Sequence, residues 1–137
     1  MAGGTGLMFD DRMLMHDPGH GHPERPDRLR VLHDRWRDAP GFVRVGARLA
    51  AEDELARVHD PRHVERVAAT AGSARVVFDA DTRASAGSYE AARLAVGGLV
   101  DLCDAVVAGE IDNGFAFVRP PGHHAEHARA MGFCLFN

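Results

Sequence analysis

Lysine is absent from this sequence, whose 16 basic residues are all arginine. Mechanisms that need a Schiff-base lysine or a phosphate-loop lysine are therefore excluded. Cysteine is scarce as well, and its two copies, Cys103 and Cys134, match neither a metal-binding pair nor a disulfide framework. Apolar runs such as residues 94–100 are far too short to span a membrane, and the amino terminus lacks a charged-then-apolar signal pattern. These absences predict a cytoplasmic protein without a membrane partner.

What is present is an ordinary globular composition, with 45% hydrophobic and 26% charged residues among 137. That length and balance suit one domain at most. The net charge is −4 with the histidines counted as neutral, and no run of like charges stands out. A nucleic-acid partner is therefore not expected, and a small neutral or cationic ligand fits better. The unusual feature is the number of histidines, which is nine.

The hydrophobic pattern predicts an α/β fold. Residues 5–9 read as a short apolar strand, and Pro26 suits the first turn of an amphipathic helix that Pro40-Gly41 ends. Ser88 is predicted to cap a long helix through Val107. Residues 115–118 form an apolar run typical of a buried strand in a parallel sheet. The order strand, long helix, buried strand favours the α/β class.

The pattern between these elements is less regular. It predicts a polar loop at residues 10–25 and a short strand at 42–45. Two short helices at 52–59 and 62–70 are divided by Asp60-Pro61, and a brief β-like run follows at 75–78.

The predicted long helix carries two further signals. Its inner stripe is expected to comprise Ala92, Ala95, Leu99, Leu102 and Val106, with Gly109 ending the helix. Two adjacent glycines at positions 97 and 98 would each cost about 1 kcal/mol against alanine. We therefore expect a neighbouring element to pack closely against them.

The most informative stretch follows the predicted buried strand and reads Arg119-Pro120-Pro121-Gly122-His123-His124. In open α/β sheets, ligands bind at the carboxyl ends of the strands. Adjacent side chains of an extended strand point to opposite faces, so the backbone must turn if both histidines are to act together. Two imidazoles in one pocket have proton affinities that are pushed apart, which lets one serve as a base. The alternative is a pair of exposed loop histidines.

Other histidines and one cysteine favour structural roles on local grounds. His20 and His22 have the spacing of a strand-borne metal pair, but the glycines and proline around them make a regular strand improbable. His59 and His63 are separated by a proline that interrupts a helix, so no metal clip is expected. Cys134 could be a nucleophile with a histidine, yet a lone thiol in an apolar run is more often a buried core residue.

Three segments of the chain resemble the zinc-dependent histone deacetylase family. They are RPPGHHAEHARAMGFCLFN at residues 119–137, GHGHPERPDRL at 19–29 and DADTRASAGSYEAARLAVGG at 79–98. The pattern is closer to class II and the bacterial acetylpolyamine amidohydrolase branch than to class I. The resemblance implies a three-layer α/β/α parallel-sheet domain of the arginase/deacetylase type, of which residues 1–137 would be the incomplete N-terminal portion.

The resemblance also implies roles for particular residues. His123 and His124 would flank the water at the zinc, with His124 acting first as general base and then as acid to the leaving amine. His123 would be its electrostatic partner. The carbonyl of Gly132 would receive the substrate amide N–H, and the ring of Phe133 would form a wall of a narrow tunnel.

Two charged positions are implied at the ends of that tunnel. Arg28 falls where the family places an arginine near the path by which acetate leaves. The alternative for it is a surface ion pair near the start of its helix. Asp79 would match a rim aspartate that holds substrate amides in some members, with Asp81 competing for the role.

The metal ligands of the family are two aspartates and a histidine, all expected downstream of Asn137. A catalytic zinc needs typically three protein ligands, so the chain alone is expected to bind no zinc and to be inactive. The favoured hypothesis is a fragment of a zinc amidohydrolase that removes acetyl groups from acetylated lysine, polyamine or similar amines. A non-catalytic binding remnant of a deacetylase domain and a Cys134–histidine hydrolase are the alternatives.

Overall fold

A computed structural model describes residues 3–137. Its strands are β1 (Thr5–Phe9), β2 (Phe42–Gly46), β3 (Val76–Val77), β4 (Arg83–Ala84) and β5 (Asn113–Ala116). Its helices are α1 (Asp27–Trp36), α2 (Glu52–Leu55), α3 (Pro61–Ala68) and α4 (Ser88–Val107). A 3₁₀ helix (Asp11–Met15) lies between β1 and α1. No helix in this part of the chain is both long and apolar enough to cross a bilayer.

The sheet at the centre has three strands in the order β2-β1-β5, and both pairings of β1 are parallel. In this register Leu7 lies opposite Arg44 on one side and Phe115 on the other. The two short strands β3 and β4 form a separate antiparallel ribbon. The predicted α/β fold with a parallel sheet is confirmed.

Helices cover both faces of the sheet. Successive side chains of β1 point to opposite faces, and each face contacts a different helix. Met8 faces α4, where a Cβ on Gly98 would lie 2.5 Å from its Cε atom. Phe9 faces α1, and its ring meets the imidazole of His33 edge-on with centroids 5.2 Å apart. The resulting order of helix, sheet and helix agrees with the three-layer architecture.

The paired glycines of α4 mark its closest approach to a neighbouring segment, as predicted. A Cβ on Gly97 would overlap the carbonyl oxygen of Arg48 and lie 2.8 Å from the backbone nitrogen of Ala50. The helix ends as expected at Gly109, whose φ of +73° is left-handed.

Two predictions for α4 are wrong. Gly87 is the N-cap, and Ser88 is the first helical residue, whose hydroxyl instead accepts the N–H of Ser85 at 2.7 Å. Leu99 and Val106 were expected on the inner stripe, yet both are exposed. Because Gly98 makes the closest contact with the sheet, Leu99 is turned about 100° away from it.

The strand after α4 also differs from its prediction. It covers Asn113–Ala116 instead of 115–118, and Phe115, which was expected to lie in a buried strand, is 59% exposed. Within residues 3–137, β5 pairs only with β1 and therefore forms an edge of the sheet. The loop predicted at residues 10–25 contains the 3₁₀ helix, which begins where the Asp10 carboxylate accepts the N–H of Arg12 at 2.9 Å.

Candidate active site

The segment that leaves β5 is held in place by a buried arginine. The Arg119 guanidinium donates from Nη2 to Glu24 Oε2 at 2.7 Å and from Nε to Glu24 Oε1 at 3.0 Å. Each of these side chains is only 2% exposed. A further nitrogen, Nη1, donates to the carbonyl oxygens of Met13 and His16. A bidentate salt bridge thus joins the first loop, residues 10–25, to the segment after β5. Charge-assisted hydrogen bonds of this kind are strong and directional.

The charges of this cluster balance one another. Burial alone would raise the pKa of Glu24, but hydrogen bonds from His16 and Arg119 outweigh it and hold the pKa below its ordinary value. Burial lowers the pKa of His16, whose Nδ1 lies 2.7 Å from the hydroxyl of Ser88. Glu24 is therefore ionised at neutral pH, and the Arg119 charge has its counter-ion.

Two buried histidines bind the far end of the same segment. His59 uses Nδ1 to donate to the carbonyl of Glu126 at 3.0 Å, while its Nε2 accepts the N–H of Asn137 at 2.9 Å. His63 donates from Nε2 to the carbonyl of Leu135 at 2.9 Å, and burial lowers its pKa. Their ring centroids lie 4.9 Å apart, and both nitrogens of His59 and Nε2 of His63 contact backbone groups.

The adjacent histidines lie on a turn, with their rings on the same side. The N–H of Ala125 donates to the carbonyl of Gly122 at 2.9 Å, and a Cβ on Gly122 would overlap the carbonyl oxygen of Phe136. The imidazole centroids of His123 and His124 are 4.2 Å apart at an angle of 50°. Both side chains are exposed in this chain. The backbone turn required for the two rings to act together is present.

Gly132 lies directly against His124. A Cβ on Gly132 would come within 2.7 to 2.9 Å of the His124 atoms Cβ, Cγ and Cδ2, and the glycine has a left-handed φ of +58°. Phe133 follows it, and its ring meets the imidazole of His22 edge-on with centroids 4.8 Å apart. The structure therefore brings His123, His124, Gly132 and Phe133 into one small region.

Cys134 is buried beneath this region. Its Sγ atom accepts the N–H of His124 at 3.4 Å and donates to the carbonyl of Gly132 at 3.3 Å. Burial raises the pKa of the thiol, so it is protonated at neutral pH. A protonated thiol is a poor nucleophile, which supports the structural role over the catalytic one.

Arg28 has a feature of each role considered for it, an ion pair and a position at a cavity. Its side chain is 62% exposed, and its Nη1 atom lies 3.4 Å from Glu24 Oε1, which forms an ion pair between residues four positions apart. It also lines a cavity of about 130 Å³ together with Glu24, Arg119 and Pro121. The ion pair expected near the start of the helix is thus present, and it borders a cavity behind the turn of the paired histidines.

The two aspartates considered for the rim have different surroundings. The Asp79 carboxylate accepts the N–H groups of Asp81 at 3.1 Å and Thr82 at 2.8 Å, so it closes a turn within its own loop. Burial opposes ionisation of Asp79, but these hydrogen bonds outweigh it and lower its pKa. Asp81 is exposed, and the neighbouring Thr82 contacts the segment of Phe133.

Sequence reasoning missed the residues that hold this region together. Glu24, Arg119 and Thr82 had no assigned role, and His22 and His59 had only a general structural one. The available signal was their position inside the three segments that resemble the deacetylase family, together with the excess of histidine. Within residues 3–137 there is no group of three His, Cys, Asp or Glu side chains placed to hold a metal. The described residues alone therefore do not fit a zinc ion.

Fold and site define the class of this chain: it is part of an α/β domain whose paired histidines follow a parallel strand. A family model for the histone deacetylase domain matches residues 22–137. Histone deacetylase 15 of Arabidopsis thaliana is 43% identical over 97% of the chain, and the human polyamine deacetylase HDAC10 is 38% identical over 98%. A histone deacetylase-like amidohydrolase of Pseudomonas aeruginosa is 35% identical over 96%.

The structural comparison agrees with the sequence comparison. The crystal structure of the HDA15 HD domain is similar with a TM-score of 0.91 at 43% identity, covering 98% of this chain and 40% of that one. The chain belongs to the histone deacetylase family, as its motifs indicated. It spans 26% of the Arabidopsis protein, 22% of the human protein and 40% of the Pseudomonas protein, which is less than half of each.

Proposed function

We propose that the complete protein is a zinc-dependent amidohydrolase that removes acetyl groups from acetylated lysine, acetylated polyamines or similar amines. The observation that carries this proposal is the imidazole pair of His123 and His124, 4.2 Å apart and directly against Gly132. Family membership supports it, since the relatives are named as histone deacetylases, a polyamine deacetylase and an amidohydrolase.

In this proposal the paired histidines move the protons. His124 accepts a proton from the water that attacks the amide carbon and then donates it to the departing amine nitrogen. His123 is its electrostatic partner, with the two ring centroids 4.2 Å apart. General acid–base transfer of this kind contributes typically 10²–10⁴-fold.

Other residues bind and orient the substrate. The Gly132 carbonyl accepts the substrate amide N–H, and the Phe133 ring packs against the apolar stem of the acylated amine. Arg28 stabilises the departing acetate from its position beside the small cavity. We assign the rim role to Asp81 instead of Asp79, because the Asp79 carboxylate is occupied by backbone N–H groups of its own loop.

The metal ligands in this proposal come from a part of the protein outside residues 1–137. Two observations support this placement: the described residues contain no ligand cluster, and the chain spans a small share of its relatives. A zinc ion held by those ligands would polarise the amide carbonyl and lower the pKa of water toward about 7. Residues 1–137 alone are proposed to bind no catalytic zinc and to have no deacetylase activity.

The proposal is tested by assaying the complete protein with an acetyl-lysine peptide and an N-acetylated polyamine. We expect release of acetate from at least one of them, loss of the activity on chelation, and recovery when zinc is added back. A parallel sample of residues 1–137 should be inactive throughout.

Three outcomes would contradict the proposal. Activity that survives chelation but is lost on thiol alkylation would indicate the Cys134 hydrolase. Binding of either substrate without hydrolysis would indicate a binding remnant. Zinc-dependent hydrolysis by residues 1–137 alone would show that the ligands lie within this chain.

A further inference from the structure

Phe133 has a backbone conformation that its side chain disfavours. Its φ of +72° makes it the one non-glycine residue with a positive φ among residues 3–137. A bulky residue in this region is an outlier, and such a conformation persists only where surrounding contacts enforce it. The contacts of Phe133 therefore show which groups set the position of its ring.

Two buried side chains from different loops make those contacts. The N–H of Phe133 donates to the hydroxyl of Thr82 at 3.1 Å, and the ring of Phe133 meets His22 edge-on at 4.8 Å. Thr82 and His22 are both buried. Phe133 is thus fixed at its backbone by one residue and at its ring by the other.

The imidazole of His22 is itself held in one orientation. Its Nδ1 lies 3.0 Å from the N–H of Glu24, which can only donate, and its Nε2 lies 2.7 Å from the carbonyl of Asp81, which can only accept. These partners assign Nε2 as the hydrogen-bond donor and Nδ1 as the acceptor. It connects the first loop to the loop that carries Asp81.

Thr82 completes a closed set of contacts. Because its hydroxyl accepts the Phe133 N–H, its own proton is free to donate to the Asp81 carboxylate, 3.2 Å away. We infer that His22 and Thr82 are positioning residues, a latch that holds the left-handed Phe133 and aligns it with Asp81. The entrance for the acylated amine then has a fixed width and direction.

The effect of the latch on substrate binding rests on the proposed function, but the contacts that form the latch do not depend on it. The side chains of His22 and Thr82 form their hydrogen bonds and ring contact with Glu24, Asp81 and Phe133 and not with the paired histidines. Loss of the latch should therefore weaken substrate binding more than the proton transfers. Interactions made equally in the ground and transition states affect KM rather than kcat. Loss of a residue that only stabilised the fold would not raise KM while leaving kcat unchanged.

The latch is tested first without any activity measurement, by hydrogen–deuterium exchange of the complete protein. Thr82→Val keeps the shape of the side chain but leaves the Phe133 N–H without its acceptor. We expect exchange in the peptide 131–136 to become at least about tenfold faster, with α4 unchanged. Thr82→Ser keeps the hydroxyl and should retain protection.

Thr70→Val is the matched control, because Thr70 is also buried and its hydroxyl bonds to the carbonyl of Val67 within α3. It should not alter exchange at 131–136. Unchanged exchange there in Thr82→Val would overturn the latch, and so would an equal increase in Thr70→Val.

The consequence for substrate is tested by steady-state kinetics on the same variants and on two His22 variants. Thr82→Val and His22→Leu should raise KM about tenfold with kcat within about twofold. His22→Gln, which keeps an N–H donor for the Asp81 carbonyl, should recover part of the loss. A fall in kcat at unchanged KM would overturn the entrance role. If the wild type hydrolyses no acetylated amine, the proposed function fails, while the exchange experiment still decides the latch.

Discussion

The contact between Glu24 and Arg119 shows how single residues build the candidate site. The two are 95 positions apart in the sequence, and both are almost fully buried. An isolated buried charge is costly, so each of these side chains depends on the other. Neither could be predicted from local pattern, because a glutamate in a polar loop and an arginine after a strand are ordinary at their own positions.

Replacement of Glu24 should therefore be severe. Glu24→Gln leaves the Arg119 charge buried without a counter-ion, and we expect the free energy of unfolding to fall by about 3–5 kcal/mol. Urea denaturation of the variant and wild type measures this difference.

The matched control is Glu90→Gln. Glu90 pairs with Arg12 at 3.7 Å, and both side chains are about half exposed. The loss there should be below about 1 kcal/mol. Equal losses at positions 24 and 90 would show that the buried pair does not anchor the segment after β5.

Elements formed largely where local sequence signals predicted them. Strand β1 has its predicted bounds, α4 ends at Val107 as predicted, and Pro61 begins α3 at the predicted break. The errors concern tertiary packing. The inward face of α4 depends on where Gly98 meets Met8, and the exposure of Phe115 depends on which strands flank β5. Periodicity within one segment does not contain that information.

The glycine pair of α4 gives a prediction at this scale. Alanine in place of glycine usually stabilises a helix by about 1 kcal/mol. Gly97→Ala should instead destabilise by about 1–3 kcal/mol, because its Cβ would overlap the rigid carbonyl of Arg48. Gly98→Ala should cost less, since the two nearest atoms that its Cβ would meet belong to the flexible end of the Met8 side chain.

Gly46→Ala is the control, as a Cβ there would have no neighbour within 4 Å. Thermal unfolding of the three variants gives the order. A stabilised Gly97→Ala variant would mean that α4 does not pack closely against the Arg48 segment.

At the scale of the whole molecule, the candidate site is assembled from three separate stretches. The first loop contributes His22, Glu24 and Arg28, the loop before β4 contributes Asp81 and Thr82, and the segment after β5 contributes the histidine pair with Gly132 and Phe133. The family resemblance identified all three stretches in the sequence. It did not predict how they touch, because hydrogen bonds such as Phe133 to Thr82 depend on the folded arrangement.

His124 carries the central step of the proposed chemistry. The most direct test is the turnover number of the complete protein carrying His124→Ala, measured together with its zinc content. We predict a fall in kcat of about 10²–10⁴-fold with zinc content unchanged. His20→Ala, which replaces an exposed histidine of the first loop, should stay within about twofold of wild type. Unchanged turnover in His124→Ala would contradict the assignment of acid–base chemistry to this pair.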